Sequence, residues 1–236
     1  MAIPWKVIET VETTEGALQL RQRGENDFLI TIGSQVLMNS HAHRSEVALG
    51  EQACRHLKEA AQPRVLVGGL GMGFTLRAVL DQLPPAARVV VAELTAAVVD
   101  WCRGPLAILT GGAVADPRVE IALGDVAAQL RKTASASLDA IVFDLYRGPH
   151  ARTEPQGDPL YGSRAIAQAW RTLKPGGVFA VWGENYDAGF VQRLEAAGFK
   201  VSCSRPGRGG LRHAVFRAEK PRGSSEAVKG KKILRP

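Results

Sequence analysis

Residues 65–73, Val-Leu-Val-Gly-Gly-Leu-Gly-Met-Gly, are the stretch that decides the fold. Their short apolar run is typical of a strand in a parallel sheet, because both faces of such a strand are buried. The run ends in four glycines, whose backbones adopt angles and allow a ligand approach that a Cβ would block. An apolar helical pattern follows, and a helix N-terminus offers free N–H groups to a polar ligand. The stretch therefore predicts a nucleotide-binding turn formed by Gly68, Gly69, Gly71 and Gly73.

Three later strand candidates each deliver a carboxylate at the same sheet edge. They are 88–92 with Glu93, 118–123 with Gly124 and Asp125, and 138–143 with Asp144. Open α/β sheets bind ligands at the carboxyl ends of their strands, so these side chains are expected to line one site. Glu93 follows the last glycine of the turn by twenty residues and suits two ribose hydroxyls, because a carboxylate has two acceptor oxygens. A single acidic residue after a strand is more often a helix cap, and that alternative stays open.

Length and composition favour one main domain with a small addition. The chain has 236 residues and 45% apolar content, enough to bury a full core. It has no run of roughly 18 apolar residues, and its first residues lack a basic region followed by an apolar core, so neither a membrane span nor a secretory signal is expected. Three cysteines in no paired spacing predict reduced thiols in a cytoplasm and no metal.

The formal charge of +7 is concentrated at the C-terminus, since residues 220–236 carry +5. This segment is rich in proline, glycine and serine and has little to bury, so a disordered basic tail is expected. Weak contacts with RNA or acidic lipids are conceivable for such a tail, but a solvated tail is favoured and nucleic acid is not expected as a partner.

Apolar periodicity predicts a β-meander and linking helix in residues 1–60, a Rossmann-like ligand-binding domain in 61–219 and the tail in 220–236. The meander strands are 6–11, 17–22 and 28–32. The predicted helices are one from 45 and then 73–82, 95–108, 125–132, 163–173 and 187–197; the remaining strands are 177–182, 199–204 and 211–218.

A mostly parallel sheet that ends in an antiparallel hairpin resembles the class I S-adenosylmethionine-dependent transferase (methyltransferase) fold. The dinucleotide fingerprint of dehydrogenases requires glycine or alanine at position 74, where Phe74 stands. We therefore expect an α/β protein of the class I transferase fold with a small N-terminal β-meander.

Within that superfamily, residues 16–219 resemble the spermidine synthase-like branch. The resemblance implies that Glu93 binds the ribose, that Gly124 and Asp125 lie at the adenine, and that Asp144 acts beside the reacting centre as base or orienting group. It rests on the meander, Gly68-Gly69-Leu70-Gly71-Met72-Gly73, Glu93, Gly124-Asp125, Asp144-Leu145-Tyr146-Arg147-Gly148-Pro149 and Leu160-Tyr161.

The chain also departs from the aminopropyltransferase pattern. Gly71 and Arg147 occupy places where that pattern has aspartates for cationic amines, and Arg44-Ser45-Glu46 stands for Tyr-His-Glu. A guanidinium in place of a carboxylate repels a polyamine. Residues 145–162 form a long connection, expected to be a lid that carries Tyr146 and Arg147 inward or else a plain surface loop.

These residues predict an enzyme, a transferase that binds S-adenosylmethionine or a close relative and methylates a small neutral or anionic acceptor. The first alternative is aminopropyl transfer from decarboxylated S-adenosylmethionine to an unusual amine. The second is a nucleoside-binding protein of this fold without turnover. A homodimer is a further expectation.

Two other features are weaker candidates. His41 and His43 are spaced like metal ligands on one face of a strand, but no further histidine or cysteine cluster completes a shell. Trp182, at the end of a predicted strand, is expected either to line the acceptor pocket or to belong to the core.

Overall fold

The computed structural model describes residues 3–207 and 213–222. Its N-terminal part is an antiparallel sheet of four consecutive strands, β1 (Lys6–Thr13), β2 (Gly16–Arg23), β3 (Asp27–Ile32) and β4 (Gln35–Asn39). The sequence pattern predicts the first three strands and misses β4. The two residues between β3 and β4, Gly33 and Ser34, were a usable signal, because a two-residue glycine turn between apolar runs is typical of a hairpin.

The second sheet has seven strands in the order β10-β11-β9-β8-β5-β6-β7. Strands β5 to β9 pair in parallel, while β11 is antiparallel to both β9 and β10, as predicted. Chain order reverses at β5, which lies between β6 and β8, and ligands bind open α/β sheets at such a reversal. The strands are β5 (Arg64–Gly68), β6 (Arg88–Glu93), β7 (Val119–Leu123), β8 (Leu138–Phe143), β9 (Leu173–Gly183), β10 (Lys200–Ser204) and β11 (Ala214–Glu219).

Helices connect the strands at nearly the predicted positions. The predicted helix 95–108 is the exception, since it is divided into two at Gly104 and Pro105, and proline has no N–H to continue a helix. The helices are α1 (Arg44–Cys54), α2 (Phe74–Asp81), α3 (Ala96–Arg103), α4 (Ala107–Thr110), α5 (Val126–Lys132), α6 (Ser163–Thr172) and α7 (Ala188–Ala196).

The core lies on both faces of the seven-stranded sheet. Alternate residues of β5 point to opposite faces, with Val65 and Val67 packed on α1, α2 and α3, and Leu66 in the cluster that includes α5, α6 and α7. Leu20 and Phe28 of the N-terminal sheet belong to the first of these two clusters. The small sheet thus packs on the same core as the large one and lies on the α1 and α2 side of it.

Some predictions fall on residues outside the described part of the chain. These are the tip of the closing hairpin at 208–212 and the tail from 223 onward. Strand β9 begins four residues earlier than predicted. The division into three segments stays a prediction. Within residues 3–207 and 213–222, no helix has the length and apolar character needed to cross a membrane.

Candidate active site

The glycine turn joins β5 to α2 at the reversal of chain order. Gly69 has a φ of +86°, and a Cβ there would collide with the backbone oxygen of Asp144, which follows the neighbouring strand β8. Gly73, with a φ of +84°, precedes the first residue of α2. Gly68 is the last residue of β5, and Gly71 lies between Gly69 and Gly73. The turn therefore packs directly against the start of the segment that carries Asp144, and a side chain at Gly69 would separate the two.

Glu93 lies under this turn at the end of β6. Its side chain is buried, and its two oxygens accept hydrogen bonds from the N–H groups of Leu70 at 2.8 Å and Thr95 at 2.9 Å. Burial raises the pKa of Glu93, and the backbone N–H donors oppose that rise. A carboxylate oxygen can accept a second hydrogen bond, and contact between Glu93 and two ribose hydroxyls stays a prediction.

Asp125 is the N-cap of α5. Its Oδ1 accepts from the N–H groups of Ala127 at 2.5 Å and Ala128 at 3.1 Å, which is the capping alternative raised by the sequence. Among the described residues, no hydrogen bond reaches its Oδ2. Contact between Asp125, or its neighbour Gly124, and a nucleobase stays a prediction.

Two exposed leucines between these carboxylates were not predicted. Leu94 is 74% exposed and Leu123 is 62% exposed, and Leu123 pairs with Glu93 across β6 and β7. Exposed apolar side chains at a ligand edge provide flat contact area for an aromatic ring. The sequence carried a signal for both leucines, since each lies within two residues of a strand-end carboxylate, Glu93 or Asp125.

Asp144 follows β8 and faces a second carboxylate that the sequence did not assign to the site. Oδ2 of Asp144 accepts from Oγ1 of Thr75 at 2.6 Å, and Thr75 Oγ1 also lies 3.2 Å from the backbone oxygen of Glu46. Loss of hydration, followed by the negative charge of Glu46, raises the pKa of Asp144 to about 7. Among the described residues, neither carboxylate forms an ion pair with lysine, arginine or histidine.

Glu46 reaches Asp144 because α1 and α2 cross closely at Gly50. A Cβ on Gly50 would lie 2.7 Å from the Cβ of Ala78 and 2.9 Å from the backbone oxygen of Thr75. Glycine at this position therefore sets the spacing of the two helices whose first turns carry Glu46 and Thr75. The sequence motif includes Glu46, but its position beside Asp144 becomes visible only in the crossing of the two helices.

Replacing Gly50 by alanine should destabilise the protein by about 1 to 3 kcal/mol, because α1 and α2 must separate to admit the methyl group. Urea denaturation measures this change. Glu51→Ala, on the exposed side of the same helix, is the control and should stay within about 0.5 kcal/mol of the native chain. Equal stability of the Gly50 variant and the control would contradict the packing described.

Tyr146 and Arg147 lie at the rim and contact the turn between β1 and β2. The Tyr146 hydroxyl donates to the carboxylate of Glu15, and burial together with that bond raises the pKa of Tyr146 to about 12. Arg147 Nη2 lies 3.8 Å from Glu15 Oε2, and its side chain is 69% exposed. The expected inward position of Arg147 is thus not the one found, because Glu15 holds the guanidinium outward. Whether either residue acts in catalysis stays a prediction.

The stem of the 145–162 segment is fixed by close backbone packing. A Cβ on Gly148 would lie 2.5 Å from the Cα of Gly183 at the end of β9. The buried Tyr161 donates its hydroxyl to the backbone oxygen of Arg147 at 2.8 Å. Both ends of the segment are therefore anchored over the carboxyl ends of β8 and β9.

The weaker candidates have structural contacts. His41 pairs with Asp27 at 3.0 Å, and the ring of His43 stacks on Phe74 at 4.1 Å. No group of three or more potential metal-binding side chains occurs in residues 3–207 and 213–222. Trp182 is half-buried, and its indole N–H donates to the Ser45 hydroxyl at 3.2 Å, so it reaches the Glu46 side of the site.

Comparison with known proteins supports the fold that the sequence predicts. No family model matches the chain. The structure superposes on spermidine synthase from Thermotoga maritima with a TM-score of 0.70 and 20% identity, covering 92% of this chain and 74% of that one. The predicted spermidine synthase-like fold is thus confirmed.

Two curated relatives match part of the chain. The polyamine aminopropyltransferase of Mycobacterium tuberculosis (strain CDC 1551 / Oshkosh) is 33% identical over 146 residues, which are 58% of this chain and 27% of that protein. Putrescine N-methyltransferase 3 of Nicotiana tabacum is 31% identical over 124 residues, 52% of this chain and 30% of that protein. The chain thus matches less than a third of the length of each of these two relatives.

Proposed function

We propose that the protein transfers an aminopropyl group from decarboxylated S-adenosylmethionine to the nitrogen of an amine. The observation that carries this proposal is the pair of carboxylates, Asp144 and Glu46, without a cationic partner among the described residues. A pair of carboxylates attracts a protonated amine, since buried charges require compensation. The similarity to a polyamine aminopropyltransferase supports the same reaction.

The residues present suit the donor as well as the acceptor. Glu93 and the glycine turn would hold its ribose, and Leu94 and Leu123 would contact its adenine. Such a donor supplies an alkyl group already activated by its sulfonium. The protein's part is to align the acceptor nitrogen for in-line displacement and to remove its proton. Asp144 is placed to accept that proton, with a pKa of about 7 that lies near neutral pH.

Methyl transfer, the first function expected from the sequence, is less well supported. Its support is the similarity to a putrescine N-methyltransferase, whereas the structural neighbour and the relative with 33% identity are named for aminopropyl transfer or spermidine synthesis. A neutral or anionic acceptor also fits poorly beside two carboxylates. Nucleoside binding without turnover remains the alternative from a different class.

Calorimetry with decarboxylated S-adenosylmethionine, S-adenosylmethionine and methylthioadenosine tests the donor site. We expect all three to bind, because the glycine turn and Glu93 contact only the nucleoside that they share. Failure of all three to bind would contradict the proposed donor class.

The pH dependence of turnover should follow the ionisation of Asp144. Only the ionised form accepts a proton, so kcat/KM should rise as the pH increases through about 7. The pH dependence of folding stability has the opposite sign to that of turnover. The raised pKa means that the folded protein holds the proton more tightly than the unfolded chain, so stability relative to Asp144→Asn should fall from about pH 4 to pH 7. A flat rate profile between pH 6 and pH 8 would exclude Asp144 as a base with a pKa of about 7.

Arg147→Asp should raise activity with putrescine, because it replaces a cation by an anion at the rim. The change should not exceed about fivefold, since the guanidinium is largely exposed and paired with Glu15. Arg152→Asp, an exposed residue of the same segment, is the matched control and should change activity little. A gain of a hundredfold would mean that Arg147 turns inward when substrate binds.

A further inference from the structure

Ser45 links Trp182 to Glu46 by a hydrogen-bond chain with a fixed direction. The Trp182 N–H donates to Ser45 Oγ at 3.2 Å, and Ser45 Oγ lies 2.6 Å from Glu46 Oε2. An indole nitrogen can only donate, so Ser45 Oγ accepts from it and turns its own proton toward Glu46. In the described part of the chain, the Ser45 hydroxyl reaches no other acceptor.

Thr75 lies between two acceptors and has one proton. Its Oγ1 is 2.6 Å from Asp144 Oδ2 and 3.2 Å from the backbone oxygen of Glu46. When Asp144 is ionised, Thr75 donates to it. When Asp144 is protonated, its O–H can donate to Thr75, and the Thr75 proton turns to the Glu46 carbonyl. Thr75 is only 2% exposed, so water does not compete for either bond.

Two further titratable side chains lie near these groups. Tyr161, from the segment before α6, is close enough that Asp144 contributes to its raised pKa, and its hydroxyl is bonded to the Arg147 carbonyl. The ring of His213, just before β11, packs on Trp182 at 4.7 Å between ring centres. Among the described residues, the hydrogen bond that reaches the Asp144 carboxylate therefore comes from Thr75.

We propose that Thr75 keeps a hydrogen bond with Asp144 in both protonation states of that carboxylate. It donates to the ionised form and accepts from the protonated form, so Asp144 takes up and releases a proton without losing a partner. Thr75 is thus a positioning residue for Asp144, and Ser45 and Trp182 position Glu46. That the proton comes from an amine acceptor rests on the proposed function, whereas the role of Thr75 does not.

Carbon-13 NMR of the side-chain carboxyl carbons in the full chain tests the role of Thr75 without an activity assay. Asp144→Asn identifies the Asp144 signal. In the native chain we expect this signal to titrate near pH 7. Ser45→Ala is the control and should shift this titration less than Thr75→Val does, because the Ser45 hydroxyl donates to Glu46.

Thr75→Val should raise the titration midpoint of Asp144 by about 1 to 2 pH units, because the ionised carboxylate loses a donor. Thr75→Ser should restore the native midpoint, because serine keeps the hydroxyl. Amide spectra verify that each variant is folded. An unchanged titration midpoint of Asp144 in folded Thr75→Val would overturn the inference. That result would leave the aminopropyl transfer open, and absence of turnover would leave the contact between Thr75 and Asp144 intact.

Discussion

Replacing Asp144 by asparagine should lower kcat/KM about 100- to 10,000-fold, the range typical of a lost general base. Asparagine has nearly the same shape and still offers an oxygen to Thr75, so the local packing should persist. It cannot take a proton from an ammonium at neutral pH. The donor dissociation constant should therefore change little while turnover collapses.

Product formation measured by mass spectrometry, together with calorimetry of donor binding, separates these two effects. Asp81→Asn is the control, since Asp81 is an exposed aspartate on α2 that pairs with Arg77. It should retain native activity. A loss of less than tenfold in Asp144→Asn, with the donor still bound, would show that another group removes the proton.

Replacing Glu93 by alanine should weaken binding of adenosine-containing ligands by about 1.5 to 3 kcal/mol, through the loss of two charge-assisted hydrogen bonds to the ribose. The same change leaves the Leu70 N–H of the glycine turn without its acceptor. Glu93→Gln preserves an acceptor for one of the two N–H groups, so it should lose less affinity than the alanine variant.

Calorimetry with methylthioadenosine measures both Glu93 variants. Glu120→Ala, an exposed glutamate on β7, is the matched control and should bind like the native chain. Equal affinity of native protein and Glu93→Ala would remove Glu93 from the ribose site, and the two backbone bonds would then be its whole role.

Much of the fold was predictable because it depends on local patterns. The apolar run before Gly68 and the glycines after it define β5 and the turn, and the strand-end carboxylates mark one sheet edge. The misses also have local causes: Gly104 and Pro105 divide a predicted helix, and β4 is short and only partly apolar. Helix and strand ends are set by caps and packing, which periodicity does not report.

The candidate site was less predictable, because its acceptor side depends on distant contacts. Glu46 and Asp144 are nearly a hundred residues apart and meet through the crossing of α1 and α2 at Gly50. The direction of Arg147 depends on Glu15, in a turn of the other sheet. Neither contact leaves a periodic signal. The charge at a motif position therefore does not reveal these contacts, while the donor side rests on recognisable residues.

Aminopropyl transfer is tested most directly by a mass-spectrometric product assay that offers each donor with putrescine, spermidine and a panel of amino acids. We expect an aminopropylated amine and methylthioadenosine with decarboxylated S-adenosylmethionine, and little product with S-adenosylmethionine. Methylated product formed from S-adenosylmethionine, with no aminopropyl transfer from the decarboxylated donor, would contradict it.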